Sequence, residues 1–145
     1  MATFNKINDF VSNAVHNMDL ESDQIVVALS NTTPSSESTD PTTDGNGILT
    51  NVTQIAYTNL SSRNVTTSSS SQTSGTYKLV LADLTLTSSG GSTGPFRYVY
   101  LYNDTVSTPA DPLIAYYDYG SSLTLNDGDS LTLDFSAANG VLQLA

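Results

Sequence analysis

The chain has 145 residues and a formal net charge of −10, from 14 acidic and 4 basic side chains. That balance excludes a nucleic-acid partner, because phosphate binding needs a Lys/Arg patch, and it argues against an anionic membrane. There is no cysteine, so disulfides, zinc-thiolate sites and thiol nucleophiles are excluded too.

Hydrophobic residues make up 38% and charged residues only 12%. Solubility therefore rests on Ser, Thr and Asn, a composition that suits β-rich surfaces and loops. The length fits one domain over residues 1–145. No basic start followed by an apolar run is present, so no secretory signal is expected. No apolar run approaches the ~18 residues needed to span a membrane.

The chain opens on a helical pattern. Phe4, Ile7, Phe10, Val11, Ala14, Val15 and Met18 recur at three- and four-residue steps. They fill one arc, which predicts a helix over about 4–18 with Thr3 as N-cap. That helix either lies on its own β-core or docks a neighbouring subunit. Residues 24–30 are a short β-branched run, expected as a strand buried on both faces. The Thr/Ser/Pro/Asp stretch over 31–47 is expected as an exposed loop. Ile48, Val52, Ile55, Tyr57 and Leu60 predict a short strand within 48–60. The Ser/Thr-rich segment over 61–75 is open to both strand and loop.

From Thr76 the alternation is clear. Tyr77, Leu79 and Leu81 hold odd positions; Leu84 and Leu86 then hold even ones. Such a slip reverses the inward face, so a bulge or bend is expected near Ala82-Asp83. Residues 88–95 read as a turn. In the next strand Phe96, Tyr98, Tyr100 and Tyr102 share one face, and Arg97, Val99 and Leu101 the other. Both faces are largely apolar, so this strand is expected to be central. Arg97 is then expected to be partly buried and to need a carboxylate or backbone carbonyls; Asp83 and Asp118 are the candidate partners, with Asp118 preferred.

Residues 113–119 make the following strand. Leu123 and Leu125 are expected to share a face with Leu131, Leu133 and Phe135, which predicts a hairpin closed by Asn126-Asp127-Gly128. Residues 141–144 close the chain as a short strand. The sum is a mainly β chain, a β-sandwich or jelly-roll-like domain of about seven or eight strands with one short N-terminal helix.

Catalytic chemistry is hard to assemble from these residues. The single histidine, His16, falls on the polar side of the predicted helix, and no Gly-X-Ser-X-Gly elbow occurs. Asp104, Asp111 and Asp118 are near one another in sequence, but the first two read as turn residues rather than a glycosidase pair. Asn126-Asp127-Gly128-Asp129 lacks the distal Glu of a calcium loop. Neither a catalytic residue nor a cofactor or metal site is expected. The tyrosines remain, as core, as a subunit interface or as a sugar-stacking face. Phe4, Phe10, Tyr102, Tyr116 and Tyr117 are the candidate interface residues. Recognition is expected near Gly94-Pro95, near Asn103-Asp104 or on Tyr116-Tyr117-Asp118.

Several segments carry a resemblance. They are Ala2-Thr3-Phe4-Asn5-Lys6, Gln24-Ile25-Val26-Val27-Ala28-Leu29-Ser30, Ser74-Gly75-Thr76-Tyr77-Lys78-Leu79, Gly94-Pro95-Phe96-Arg97-Tyr98, Leu101-Tyr102-Asn103-Asp104-Thr105, Asp118-Tyr119-Gly120 and Asn139-Gly140-Val141-Leu142. Together they resemble a family of small virion structural proteins of tailed bacteriophages, over most of the chain except about 35–73. The chain departs from that family at Ala56-Tyr57-Thr58-Asn59, where a Gly-rich turn is usual, and it has no tryptophan near Leu86 or Tyr116. The resemblance implies a capsid decoration, or cement, protein with no catalytic residues. Its implied partners are the major capsid protein and copies of itself, with a trimer as the expected homo-oligomer. Its implied location is the virion, assembled in the host cytoplasm. A tail-associated or head-fibre protein and a carbohydrate-binding β-sandwich are the alternatives.

Overall fold

The computed structural model describes residues 2–145. Its centre is the Val/Ile-rich run expected to be buried on both sides. Strand β2, Ile25–Ser30, is buried at every position. The elements before it are β1, Thr3–Lys6, and helix α1, Phe10–His16. After it come β3, Asn64–Val65; β4, Thr67–Thr73; β5, Thr76–Leu81; β6, Leu84–Thr87; β7, Thr93–Asn103; β8, Leu113–Leu125; β9, Ser130–Leu133; and β10, Leu142–Leu144. The protein is mainly β and sandwich-like, with antiparallel sheets and one helix. Among the described residues, no helix is long and apolar enough to cross a membrane.

The largest sheet has the order β1-β8-β7-β2-β3. The aromatic strand β7 lies between β8 and β2, the interior place its two apolar faces called for. The other sheets are β10-β5-β4 and β6-β9. The phase slip between Leu81 and Leu84 falls where the chain passes from one to the other. Ala82 and Asp83 lie outside both strands, and an Asp83 carboxylate oxygen accepts the Phe135 N–H at 2.9 Å.

Several expectations are corrected. The helix is shorter than 4–18, because Thr3 to Lys6 pair with β8 instead. Thr3 is therefore no cap; Asp9 stands at the helix start. Phe10 turns inward, while Val11 and Val15, placed on the same arc by the periodicity, are exposed, Val15 by 76%. The strand expected within 48–60 does not form. That stretch holds a 3-10 turn, Leu49–Asn51, and isolated bridges at Ile48 and Leu60.

The C-terminal hairpin does not form either. Strand β8 runs on beside β7, with Leu123 opposite Phe96 and Leu125 opposite Thr93. Leu131 and Leu133 pair with Leu86 and Leu84 of β6. Residues 126–129 thus carry the chain between sheets. Gly128 has the expected left-handed backbone, φ +88°. Asp127 accepts the Gly90 N–H and Asp129 the Asn126 N–H, each at 2.9 Å. These two carboxylates hold turns, a role Asp fills readily.

The five-stranded sheet is covered differently on its two faces. On one, Leu79, Leu81, Leu86 and Phe135 from the smaller sheets join Val99, Leu101 and Tyr117 in the core. On the other lie Tyr98, Tyr100 and Tyr102, all buried. This face meets the irregular segment that follows β2: Thr33 Oγ1 sits 3.0 Å from the Tyr98 hydroxyl. Residues 31–47 are thus not simply an exposed loop; Pro34 and Pro41 are buried.

Candidate functional site

The expected site residues divide sharply. Phe10 and Tyr102 are buried in the core and offer no surface to a neighbour, which corrects their assignment as interface residues. Tyr116 packs inside the tyrosine face, 5.5 Å from the Tyr100 ring and 6.4 Å from that of Tyr98. Phe4 and Tyr117 are brought together on the opposite face. Strand β1 places Phe4 directly across from Tyr117, with ring centroids 5.6 Å apart in an edge-on pair. Tyr117 also meets Phe135 at 6.3 Å.

Around this pair the sandwich is open. A cleft of about 380 Å³ lies between the β1 side of the large sheet and β9, within the size range of ligand and peptide sites. Phe4, Val99 and Tyr117 form one wall; Leu131, Leu133 and Phe135 form the other. Phe96 joins the first wall. The register breaks between Phe96 and Tyr98, which moves Phe96 off the tyrosine face onto the face of Val99. Tyr119, 50% exposed, also lines the cleft. Burial pushes the Tyr117 hydroxyl up to about 12, as expected where the charged phenolate would lose water.

Sequence reasoning found Phe4 and Tyr117 but missed the far wall. The signal was present: Leu131, Leu133 and Phe135 alternate as one apolar face. Their assignment to a hairpin with β8 hid that this face looks across a gap.

Arg97 and Asp118 form a two-point ion pair: Nε to Oδ1 at 2.7 Å and Nη2 to Oδ2 at 2.9 Å. Its side chains are 37% and 33% exposed, so the pair is partly buried. The Arg97 guanidinium holds the Asp118 carboxyl below the usual carboxylate range. Asp83, the other candidate partner, serves Phe135.

Of the two strand ends expected to recognise a partner, the one at Gly94-Pro95 is exposed, whereas the one at Asn103 is occupied by its own loop. The Asn103 side chain is fully buried. It donates to Asp23 at 2.7 Å and accepts the N–H groups of Thr105 and Val106 at 2.9 and 3.0 Å, so it organises its own loop.

On the tyrosine face the Tyr100 hydroxyl is buried and has no hydrogen-bond partner among the described residues. Burial is the main cause that raises its pKa, and the charges of Glu37 and Asp40 add to it. Asp111 is raised by burial and by nearby Asp104, but Asp118 is committed to Arg97. Among the described residues, no group of three or more His, Asp or Glu is arranged to hold a metal ion. His16 Nδ1 lies 3.4 Å from Ser12 Oγ. No known protein family, curated protein or solved structure matches this chain.

Proposed function

We propose that this chain is a structural protein of a tailed-bacteriophage virion, a decoration protein that binds the outer capsid shell and stabilises it. The open apolar cleft between β1 and β9 is its contact with the shell. That cleft is the observation that carries the reading. It is a gap in the sandwich with an aromatic and aliphatic lining, on a chain whose solubility otherwise rests on hydroxyl and acidic groups. An apolar cleft with a few polar groups at its rim is the first place to look for a contact. The sequence resemblance supports the same role, and its matched segments include β2, much of β7 and the start of β5. Many copies on one particle would multiply a modest contact into firm retention.

A carbohydrate-binding reading needs a row of exposed rings, and the burial of Tyr98, Tyr100 and Tyr102 lends it no support. Imaging of purified particles tests the decoration reading: density for this chain is expected on the shell exterior. Density at the tail tip alone, or none, would sink it. A binding assay on undecorated shells then tests the cleft. Tyr119→Glu is expected to weaken binding at least about tenfold, or ~1.4 kcal/mol, with the melting temperature kept. Unchanged binding would remove the cleft from the contact.

A further inference from the structure

The cleft is bounded by a strand edge that none of the described residues pairs with. In β9 the odd-numbered residues turn their backbone groups toward β6. Asp129 O accepts the Ser88 N–H, Leu131 and Leu133 pair with Leu86 and Leu84, and the Phe135 N–H goes to Asp83. Backbone groups alternate along a strand, so those of Ser130, Thr132 and Asp134 face outward. Among the described residues, no backbone group pairs with them.

Free edges are normally blunted by bulges, lysines, prolines or very short strands. Three of the other edges follow that rule, and β6 is met on its outer side by Ser61, which pairs with Thr87. Strand β4 has a register shift between Thr67 and Ser69, β1 carries Lys6, and β3 is two residues long. Strand β9 reads Ser-Leu-Thr-Leu, with regular pairing, no charge and no proline. Its inner side chains already form a wall of the cleft. A strand added beside β9 would lie about 4.8 Å away, with every second side chain falling into the cleft mouth.

Backbone pairing and charge select the occupant. A helix has its backbone groups paired internally and leaves the β9 edge unmet. An extended segment needs room only for alternate side chains. Asp134 is exposed on the cleft lining and has no hydrogen-bond partner among the described residues. The chain as a whole carries −10. A second copy docked edge to edge would bring like charges together; a basic segment would find complementary charge.

We propose that β9 receives a strand from a partner protein. The segment is extended, alternates apolar and polar residues, seats the apolar ones in the cleft and sets a lysine or arginine against Asp134. This rests on the reading of the cleft as the assembly contact, and it names the mode of that contact.

The test uses the full chain, isotopically labelled, and a pool of eight-residue peptides. Each has terminal lysines and alternates threonine with valine, leucine, isoleucine or phenylalanine. The best binder is expected to shift and protect the amides of Ser130, Thr132 and Asp134. N-methylation of its β9-facing amides should weaken it at least tenfold. Glutamate in place of its terminal lysines, or Asp134→Asn in the protein, should weaken it several-fold, less so in high salt. Three results would overturn the proposal: no peptide protects those amides, the N-methylated peptide binds equally well, or the chain alone dimerises through them. If the inference fails while Tyr119→Glu still abolishes shell binding, the decoration reading stands. If strand addition is found but the chain is absent from particles, that reading falls alone.

Discussion

The two faces of the five-stranded sheet are sealed by different means. One is covered by strands β5, β6, β9 and β10, whose backbone groups satisfy one another, and this cover stops short at the β1 edge and leaves the cleft. The other meets an irregular segment, yet Tyr98, Tyr100 and Tyr102 beneath it are all buried. Regular pairing leaves an edge wherever it ends. An irregular segment can close a face, but each backbone group it covers must find an individual partner.

The outer edge of β2 shows how this is done. Beyond the short β3, Val27 N donates to Arg63 O at 2.9 Å, and the Arg63 guanidinium donates to Val27 O at 2.6 Å. Ile55 N donates to Leu29 O at 3.0 Å, and Leu29 N donates to the Tyr57 hydroxyl at 2.9 Å. Arg63 stacks over the Tyr57 ring, 3.8 Å from its centroid. Side chains here complete what a longer β3 would have supplied.

The largest effect expected from this contrast is at Tyr57. Tyr57→Phe keeps the ring under Arg63 but leaves the buried Leu29 N–H without a partner, a loss of about 1–3 kcal/mol. Urea unfolding measures it. A cost no greater than that of Tyr119→Phe, at an exposed ring, would show that the segment is not standing in for a strand. A smaller effect of opposite sign is expected at Tyr100. Its hydroxyl is buried and unpaired among the described residues, so Tyr100→Phe is expected to stabilise the chain by about 1 kcal/mol. A loss of stability would mean that the tyrosine face holds a partner for that hydroxyl, such as a buried water.

Much of the regularly paired half was legible in the sequence. The buried run of β2, the interior place of β7 and the break at Ala82-Asp83 all follow from side-chain alternation, which is local. Partner choice is not local. Leu123, Leu125, Leu131 and Leu133 have the right parity for a hairpin, and the same parity serves equally when β8 stays with β7 and β9 joins β6. The irregular half was the least legible. Ile48 to Leu60 carry scattered apolar residues with no strict alternation, and Tyr57 contributes through one hydroxyl, which no periodicity reports. Of the candidate site, Phe4, Tyr117 and the pairing of Arg97 with Asp118 could be read from residue type. The cleft itself depends on where the second layer ends, and only the assembled sheets show that.

The smallest effect expected lies at the end of the large sheet, where Asp118 pairs with Tyr98 on one side and Thr3 on the other. The hydrogen bond from Arg97 is the main cause of its depressed pKa; burial opposes it, and the Gly120 N–H, 2.8 Å from Oδ1, reinforces it. An unfolded aspartate titrates near ~3.9. With the folded value lower, the folded state binds fewer protons as the pH falls through this range. The pair's contribution is therefore present above about pH 4 and is lost as the pH drops through the folded value. Because a third of each side chain is exposed, solvent screens the pair and the contribution is small. Asp118→Asn is expected to lower the melting temperature slightly at pH 7, and the gap between the two proteins is expected to close in acid. A gap that stays constant from neutral to strongly acidic pH would mean that shape and hydrogen bonding, rather than charge, hold this edge of the sheet beside the open cleft.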